Sequence, residues 1–413
     1  MANASQHAPD KKHCIRLTPE EYQSIQQSRG KEPMGKEDKD QPKGLHVGAT
    51  EDRAAAHQDY WKSQYQRIKK DYAQLIPAVA VVDRLVENVL ATAPRSYTTT
   101  PRGIPKLTAK MRKATPESAV LLLSDTHVGK VVRSEQTLGF SAYNFQVFLS
   151  RLKFLEERVT SIIQDHTTSP LNELVVAMLG DMLDGALSHG AEVGQHNPLF
   201  NQFFGAGHAL AQFLRNLSTI VPRIRVKTCV GNHTRWQNQR KMPTENRYSN
   251  LDQFLYAFVQ ALTRDIPNIE WSLDQQPFAV FDVEGFTFFA SHGDHWRGGD
   301  KALGIPLHAM ARQVTSTTQL FHKHGAVVPQ YYVSGHLHRE IKLPTGLGDI
   351  TVNGGFPGLD GYALTGNFNP VDPTQAFFKV HPTFGKTAQY TLQLKHAPSY
   401  SNPYNMPKDF LCQ

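Results

Sequence analysis

Beyond Pro116 the chain repeats one rhythm: a short apolar run, a loop of polar residues, then a stretch whose apolar positions recur three and four residues apart. Short runs at 119–123, 174–179 and 224–230 predict strands, and amphipathic stretches at 143–164, 199–217 and 251–263 predict helices. Strand and helix in alternation make an α/β layered sheet. Residues 278–283 and 286–290 flank Glu284 and Gly285 as the arms of a hairpin. Later strands are predicted at 331–334 and 350–352, and residues 375–394 are strand-like again.

The pattern ahead of Pro116 is different. Residues 1–50 are polar, charge-mixed and poor in aromatics, with Gly30, Pro33, Gly35, Pro42 and Gly44 scattered through them, the composition of a disordered arm. From 51 to 93 the period turns helical, with Tyr60, Trp61, Tyr65, Ile68, Tyr72 and Leu75 forming a stripe that Pro77 interrupts. The stripe is short for a coiled coil, which favours docking on the main domain over pairing with a second copy. Residues 94–116 read as a Pro-rich basic linker holding Arg95, Arg102, Lys106, Lys110, Arg112 and Lys113 and no acid. The expected organisation is an arm at 1–50, a helical segment at 51–93, the linker at 94–116, one domain at 117–395 and a tail at 396–413.

Of 413 residues, 40% are hydrophobic and 20% charged, an ordinary composition on a chain long enough for a well-filled core. No apolar run approaches the roughly 20 residues that span a bilayer. The first dozen residues lack the apolar core of a secretory signal, so no membrane partner and a cytoplasmic location are expected. Cys14, Cys229 and Cys412 are widely separated, which fits a reducing compartment and no disulfide framework. The net charge of +7 sits in the first quarter: residues 1–115 hold 20 Lys and Arg against 13 Asp and Glu, and the remainder is balanced at 24 against 24. Histidine stands out, with 19 residues, several of them beside Asp, Asn or Gly in short loops.

Five short polar strings follow apolar strands: SDTHVG from Ser124, GDMLDG from Gly180, GNH from Gly231, SHGD from Ser291 and GHLH from Gly335. Ligands of open α/β sheets gather where loops leave the carboxyl ends of strands, so five such loops can converge on one site. Carboxylates, imidazoles and an amide oxygen form a mixed nitrogen and oxygen donor set that suits Mn, Fe or Zn and lacks the thiolates of a structural zinc site. One ion would leave donors over, so two divalent ions are expected, with Mn first.

The order Asp-x-His, Gly-Asp-x-x-Asp, Gly-Asn-His, His-Gly-Asp, Gly-His-x-His resembles the five-block signature of the calcineurin-like metallophosphoesterases over about residues 119–395. The resemblance implies an αββα sandwich of four layers, two mixed β-sheets packed together and flanked by helices. It implies that Asp125, His127 and His338 bind one metal, that Asn232, His292 and His336 bind the second, and that Asp181 bridges them. It further implies a hydroxide between the ions as the nucleophile toward phosphorus, His233 as general acid to the leaving oxygen, and Asp184 orienting that histidine.

In the Ser/Thr protein phosphatases of that family the second block continues with Arg and the third with Glu. Gly185 and Thr234 stand there in this chain, so the bidentate phosphate donor is missing. Arg235, Arg240, Lys241 and Arg247, interleaved with Trp236 and Tyr248, offer another supply of positive charge. Cations with aromatics suit a nucleotide or a single strand, through backbone charge and base stacking. Arg297, Lys301 and the basic linker would extend such a track. Asp294, His295, His189 and His196 stand beside the blocks as further candidates for substrate contact. The arrangement is also similar to metallophosphoesterases of bacteriophage and prophage genomes, which are loosely compared with DNA repair nucleases. No helix-turn-helix or zinc finger is visible, so sequence-specific recognition is not expected. A phosphodiesterase acting on DNA, RNA or a nucleotide is the leading expectation. The alternatives are a phosphomonoesterase on a small phosphate and a non-catalytic metal-binding scaffold.

Overall fold

Strand β1 (Glu117–Leu123) is buried on both faces, and that dictates the layering. Alternate side chains of a strand point to opposite faces. Ala119, Leu121 and Leu123 join one apolar cluster, while Val120 and Leu122 join another. Strand β2 (Leu171–Met178) divides in the same way, with Leu174, Val176 and Met178 on one side and Val175 and Ala177 on the other. A strand walled by apolar side chains on both faces belongs inside a sandwich. Truncating a central residue such as Leu121 to Ala would cost about 2–5 kcal/mol.

The computed structural model describes residues 102–185, 199–235, 250–273, 278–299, 304–360, 364 and 370–406. The predicted arm and helical segment of residues 1–93 lie outside them. Among the described residues the first sheet also contains β3 (Ile224–Thr228), β4 (Ile269–Ser272), β10 (Thr374–His381) and β11 (Gly385–Gln393), in the order β11-β10-β1-β2-β3-β4. Strands β1 to β4 run parallel, whereas β10 and β11 form an antiparallel edge. The second sheet has β5 (Ala279–Val283), β6 (Phe286–Ala290), β7 (Tyr331–Ser334), β8 (Ile341–Pro344) and β9 (Asp349–Val352), ordered β5-β6-β7-β9-β8. Its centre, β6-β7-β9, is parallel and both outer pairs are antiparallel.

Three helices cover the outer face of the first sheet: α2 (Phe145–Asp165), α3 (Leu199–Ser218) and α4 (Leu251–Leu262). The side chain of Asn144 caps α2 by accepting from the Val147 N–H at 2.9 Å, as an N-cap asparagine should. Helix α5 (Leu307–Lys323) covers the second sheet through Met310, which packs with Phe289, Tyr332, Ile350 and Val352. Phe281, Phe288, Tyr331 and Phe378 fill the space between the sheets. The result is helix, sheet, sheet, helix: the four-layer αββα architecture with two mixed sheets. No helix among the described residues is long and apolar enough to cross a membrane.

The strands and helices named from the pattern beyond Pro116 are present, with ends moved by a few residues. Among the described residues, two α-helices and two strands are additional. Helix α1 (Ala109–Lys113) is a single short stretch within the basic linker, capped by Thr108. Strands β4 (IEWS) and β8 (IKLP) are short and interrupted by polar residues or a proline, so no continuous apolar run marks them. Helix α5 carries Thr315, Ser316, Thr317 and Thr318 at its middle, residues of poor helix propensity, and only its packing on the second sheet decides in its favour. Beyond the last strand, Tyr404 is buried against the helical layer and its hydroxyl donates to Glu156 at 3.1 Å.

Candidate metal centre

The five polar strings occupy the loops that leave the carboxyl ends of β1, β2, β3, β6 and β7, so both sheets deliver side chains to one place. Asp125, His127, Asp181, His336 and His338 all have positive φ, between 42° and 73°. For residues with a Cβ that region costs about 1–3 kcal/mol each and persists where function holds it. The loops also approach so closely that neither Gly231 nor Gly335 has room for a side chain. A Cβ on Gly231 would lie 2.0 Å from Asp181 Oδ1, and one on Gly335 would lie 2.4 Å from Asp125 Oδ2.

Asp125, His127 and His338 form one group whose donor atoms lie within 4.8 Å of one another. His127 is fully buried, and its Nδ1 faces Asp184 Oδ1 at 3.1 Å, which fixes the proton on that nitrogen. Its Nε2 lone pair therefore points at His338 Nε2, 2.9 Å away. Burial, then repulsion from His233, lowers the His127 imidazole to about 4, so it is neutral. Burial alone would raise the Asp125 carboxyl, but His338 outweighs it and holds the group below its ordinary value. Both Asp125 oxygens accept the His336 N–H at 3.1 Å.

Asp181, His292 and His336 form a second group. His292 Nδ1 donates to the Leu179 carbonyl at 2.7 Å, which leaves Nε2 facing Asp181 Oδ2 at 3.0 Å and Asn232 Oδ1 at 3.1 Å. Three acceptors pointing at one spot repel unless a cation sits among them. In the protein alone a proton serves: burial pulls His292 down, but Asp181 overcomes it and lifts the imidazole to about 10. The donor chemistry suits divalent Mn, Fe or Zn, and the opposite ring nitrogen bonded to a carbonyl or carboxylate is the usual support of a metal-binding histidine. Asp181 Oδ2 is also 4.0 Å from His127 Nε2, so this carboxylate reaches toward both groups.

His233 stands over the two groups with a quarter of its side chain exposed. Its Nδ1 is 3.3 Å from the Asp184 carbonyl and 3.5 Å from Asp184 Oδ1, and its Nε2 is 4.0 Å from Asp181 Oδ2. Burial opposes its charge, yet Asp181 and Asp184 prevail and raise it to about 9. Asp184 thus serves two histidines, and it lies nearer to His127 than to His233.

A supporting layer carries no signal in the sequence. Gln375 and Asn353, both buried, hold the first loop: Ser124 N–H donates to Gln375 Oε1 at 3.0 Å and Asn353 Nδ2 donates to Ser124 Oγ at 3.0 Å. Gln202 accepts from the Gly185 N–H at 3.1 Å. Asp252 accepts backbone N–H groups from the second and third loops. Burial and then Asp181 raise its carboxyl to about 6. On the sequence Asp252 reads only as a helix-opening acid.

Around the mouth, Arg235 is ion-paired with Asp294, and Lys130 with Asp360. Two residues expected separately at the substrate are therefore bonded to each other. His295 packs against Phe278 and Trp296, and Arg297 is exposed. Arg240, Lys241, Arg247, Lys301, His189 and His196 lie outside the described residues.

No family model and no curated protein matches the chain. Among solved structures it is similar to a Streptococcus pneumoniae protein described as a predicted phosphoesterase, at 9% identity over 70% of this chain and 95% of that one, with a TM-score of 0.29. It is similar to an archaeal phosphodiesterase at 11% identity, over 66% and 99% of the two chains, with a TM-score of 0.30. It is likewise similar to a dimetal phosphatase from Danio rerio at 11% identity, over 68% and 99%, with a TM-score of 0.33. Likenesses this distant carry no argument about activity, and the functional reading rests on the site's own geometry.

Proposed function

We propose that this chain is a metal-dependent phosphoric ester hydrolase with a two-metal centre, acting as a phosphodiesterase on nucleic acid or nucleotides. The observation that carries the reading is the convergence of Nε2 of His127, His292 and His338 with the oxygens of Asp125, Asp181 and Asn232. Asp125, His127 and His338 would hold one ion, Asn232, His292 and His336 the other, and Asp181 both. Divalent ions, Mn first among them, supply when bound Lewis acidity toward a phosphoryl oxygen and a water of lowered pKa.

The chain's own residues do the rest. His233 keeps its proton at neutral pH, and with Nδ1 turned to Asp184 its Nε2–H is the end free to face substrate. As the bond from phosphorus to the leaving oxygen breaks, His233 donates that proton to the oxygen, while the oxygen of a water that has already given one proton to solvent bonds to phosphorus. Asp184 holds the ring and stabilises its charge. Arg235, with Arg240, Lys241 and Arg247, would bind the phosphate backbone. The missing Arg clamp supports a diester, whose phosphate carries one negative charge, over a monoester.

The test is hydrolysis of bis-p-nitrophenyl phosphate, p-nitrophenyl phosphate and labelled single- and double-stranded DNA with Mn²⁺ supplied, for the wild type and Asp181→Asn. Diester and DNA cleavage lost in the variant is the expected result. Monoester turnover alone would move the substrate to small phosphates. Bound metal with no turnover of any ester would leave a scaffold.

A further inference from the structure

Asp252 opens α4 and is 0% exposed. It lies beneath two loops at once. Its Oδ2 accepts from the Asp181 N–H and from the Gly231 N–H, both at 2.9 Å, and its Oδ1 accepts from the Met182 N–H at 3.2 Å. Asn250, the N-cap of the same helix, takes the other side of Gly231: its Nδ2 donates to the Gly231 carbonyl at 2.8 Å. The Asn250 Oδ1 accepts both the Asp252 N–H at 2.8 Å and the Thr234 hydroxyl. Both backbone groups of Gly231 are therefore held from one helix turn.

The loops need such a hold. Asp181 sits at φ 51°, a conformation without a ladder to occupy its N–H. Gly231 touches it so closely that no side chain fits between them. A carboxylate is the one side chain that accepts at both ends, so it can take three N–H donors from two loops. The next residues along those loops are the donors Asp181 and Asn232, which meet at His292 Nε2.

We propose that Asn250 and Asp252 are positioning residues of the metal centre, locking the Asp181 and Gly231 loops in the register that aims Asp181 Oδ2 and Asn232 Oδ1 at one ion. The proposal rests on the two-metal reading above. Asp252→Asn keeps the volume but turns an amide NH₂ toward at least one N–H donor, so one or more of the three bonds is lost. Asn250→Ser keeps a helix cap but removes the donor to the Gly231 carbonyl and the amide oxygen that takes the Thr234 hydroxyl. Support of this kind is worth about 10- to 100-fold in metal affinity.

The experiment is Mn²⁺ titration of the full chain, with free ion counted by electron paramagnetic resonance, for wild type, Asp252→Asn and Asn250→Ser. Far-ultraviolet circular dichroism of the metal-free proteins checks the fold. The expected result is a wild-type spectrum and a site of Asp181, Asn232, His292 and His336 weakened about 10- to 100-fold in Asp252→Asn, and less in Asn250→Ser. Loss of diester hydrolysis at low Mn²⁺ should be restored by excess Mn²⁺, which a general loss of stability would not allow. If Asp252→Asn does not fold, Asn250→Ser decides the question alone. Wild-type affinity for both ions in the folded variants overturns the proposal. A wild type that takes up no Mn²⁺ overturns the two-metal reading itself, and that failure shows in a different protein sample.

Discussion

Two central loops of the candidate metal centre are held in different ways. The Asp125 loop rests on neutral amides: Gln375 binds both the N–H and the carbonyl of Ser124, and Asn353 binds its hydroxyl. The Asp181 loop rests on a carboxylate, Asp252, buried close to another carboxylate. Amides satisfy a backbone without adding charge, so the first loop is as well supported without metal as with it. On the other side burial and the neighbouring Asp181 raise the Asp252 carboxyl, a charge conflict that the first side lacks and that cations at Asp181 would relieve. Fold and metal are therefore separable on the first side and coupled on the second.

Several substitutions break or sharpen that contrast. The largest effect is expected from His233→Ala, which touches neither support: kcat for the diester dye should fall roughly 10²- to 10⁴-fold while Mn²⁺ content stays at the wild-type value. A loss of metal instead would make His233 part of the coupled side. Next comes pH. His233 acts only while protonated, and without metal it holds its proton up to about 9, so kcat should decline along an alkaline limb at or below that value. Bound cations repel the proton and move the limb lower, so a profile still flat at about pH 10 would remove His233 as the acid.

Smaller effects test the neutral side. Gln375→Leu strands the Ser124 N–H and should cost about 1–3 kcal/mol, read as a lower denaturant midpoint, with Mn²⁺ affinity unchanged. A drop in affinity as large as that of Asp252→Asn would erase the distinction. The smallest effect is expected from Arg235→Ala at the partly exposed mouth, where an ion pair is worth up to about 1 kcal/mol. Steady-state kinetics should show a rise in KM of roughly fivefold or less with kcat nearly constant.

Much of this was legible before the fold. Residues 331–334 read as a strand and are one, because every second position had to be apolar to sit between layers. The hairpin around Glu284 and Gly285 was legible because a two-residue turn with φ values of 51° and 83° needs a glycine. Helix α5 was not, since only three-dimensional packing of Met310, Val314 and Phe321 overrides its central Ser and Thr run. The same limit applies to Asp252: an acid in the first turn of a helix is ordinary, and nothing local says that three distant N–H groups need it.

By itself the sequence determined the alternation of strands and helices and the candidate donors, because both are written in residues that are neighbours along the chain. Periodicity sets which face of each strand is apolar, and each short string carries its own Asp, Asn or His. The tertiary structure alone decided how the donors pair. His127 meets His338 across 211 positions, Asp184 turns out to serve His127 as well as His233, and Arg235 is drawn onto Asp294. The direction of a lone pair and the burial of a charge depend on what arrives from elsewhere in the chain, and no local pattern records that.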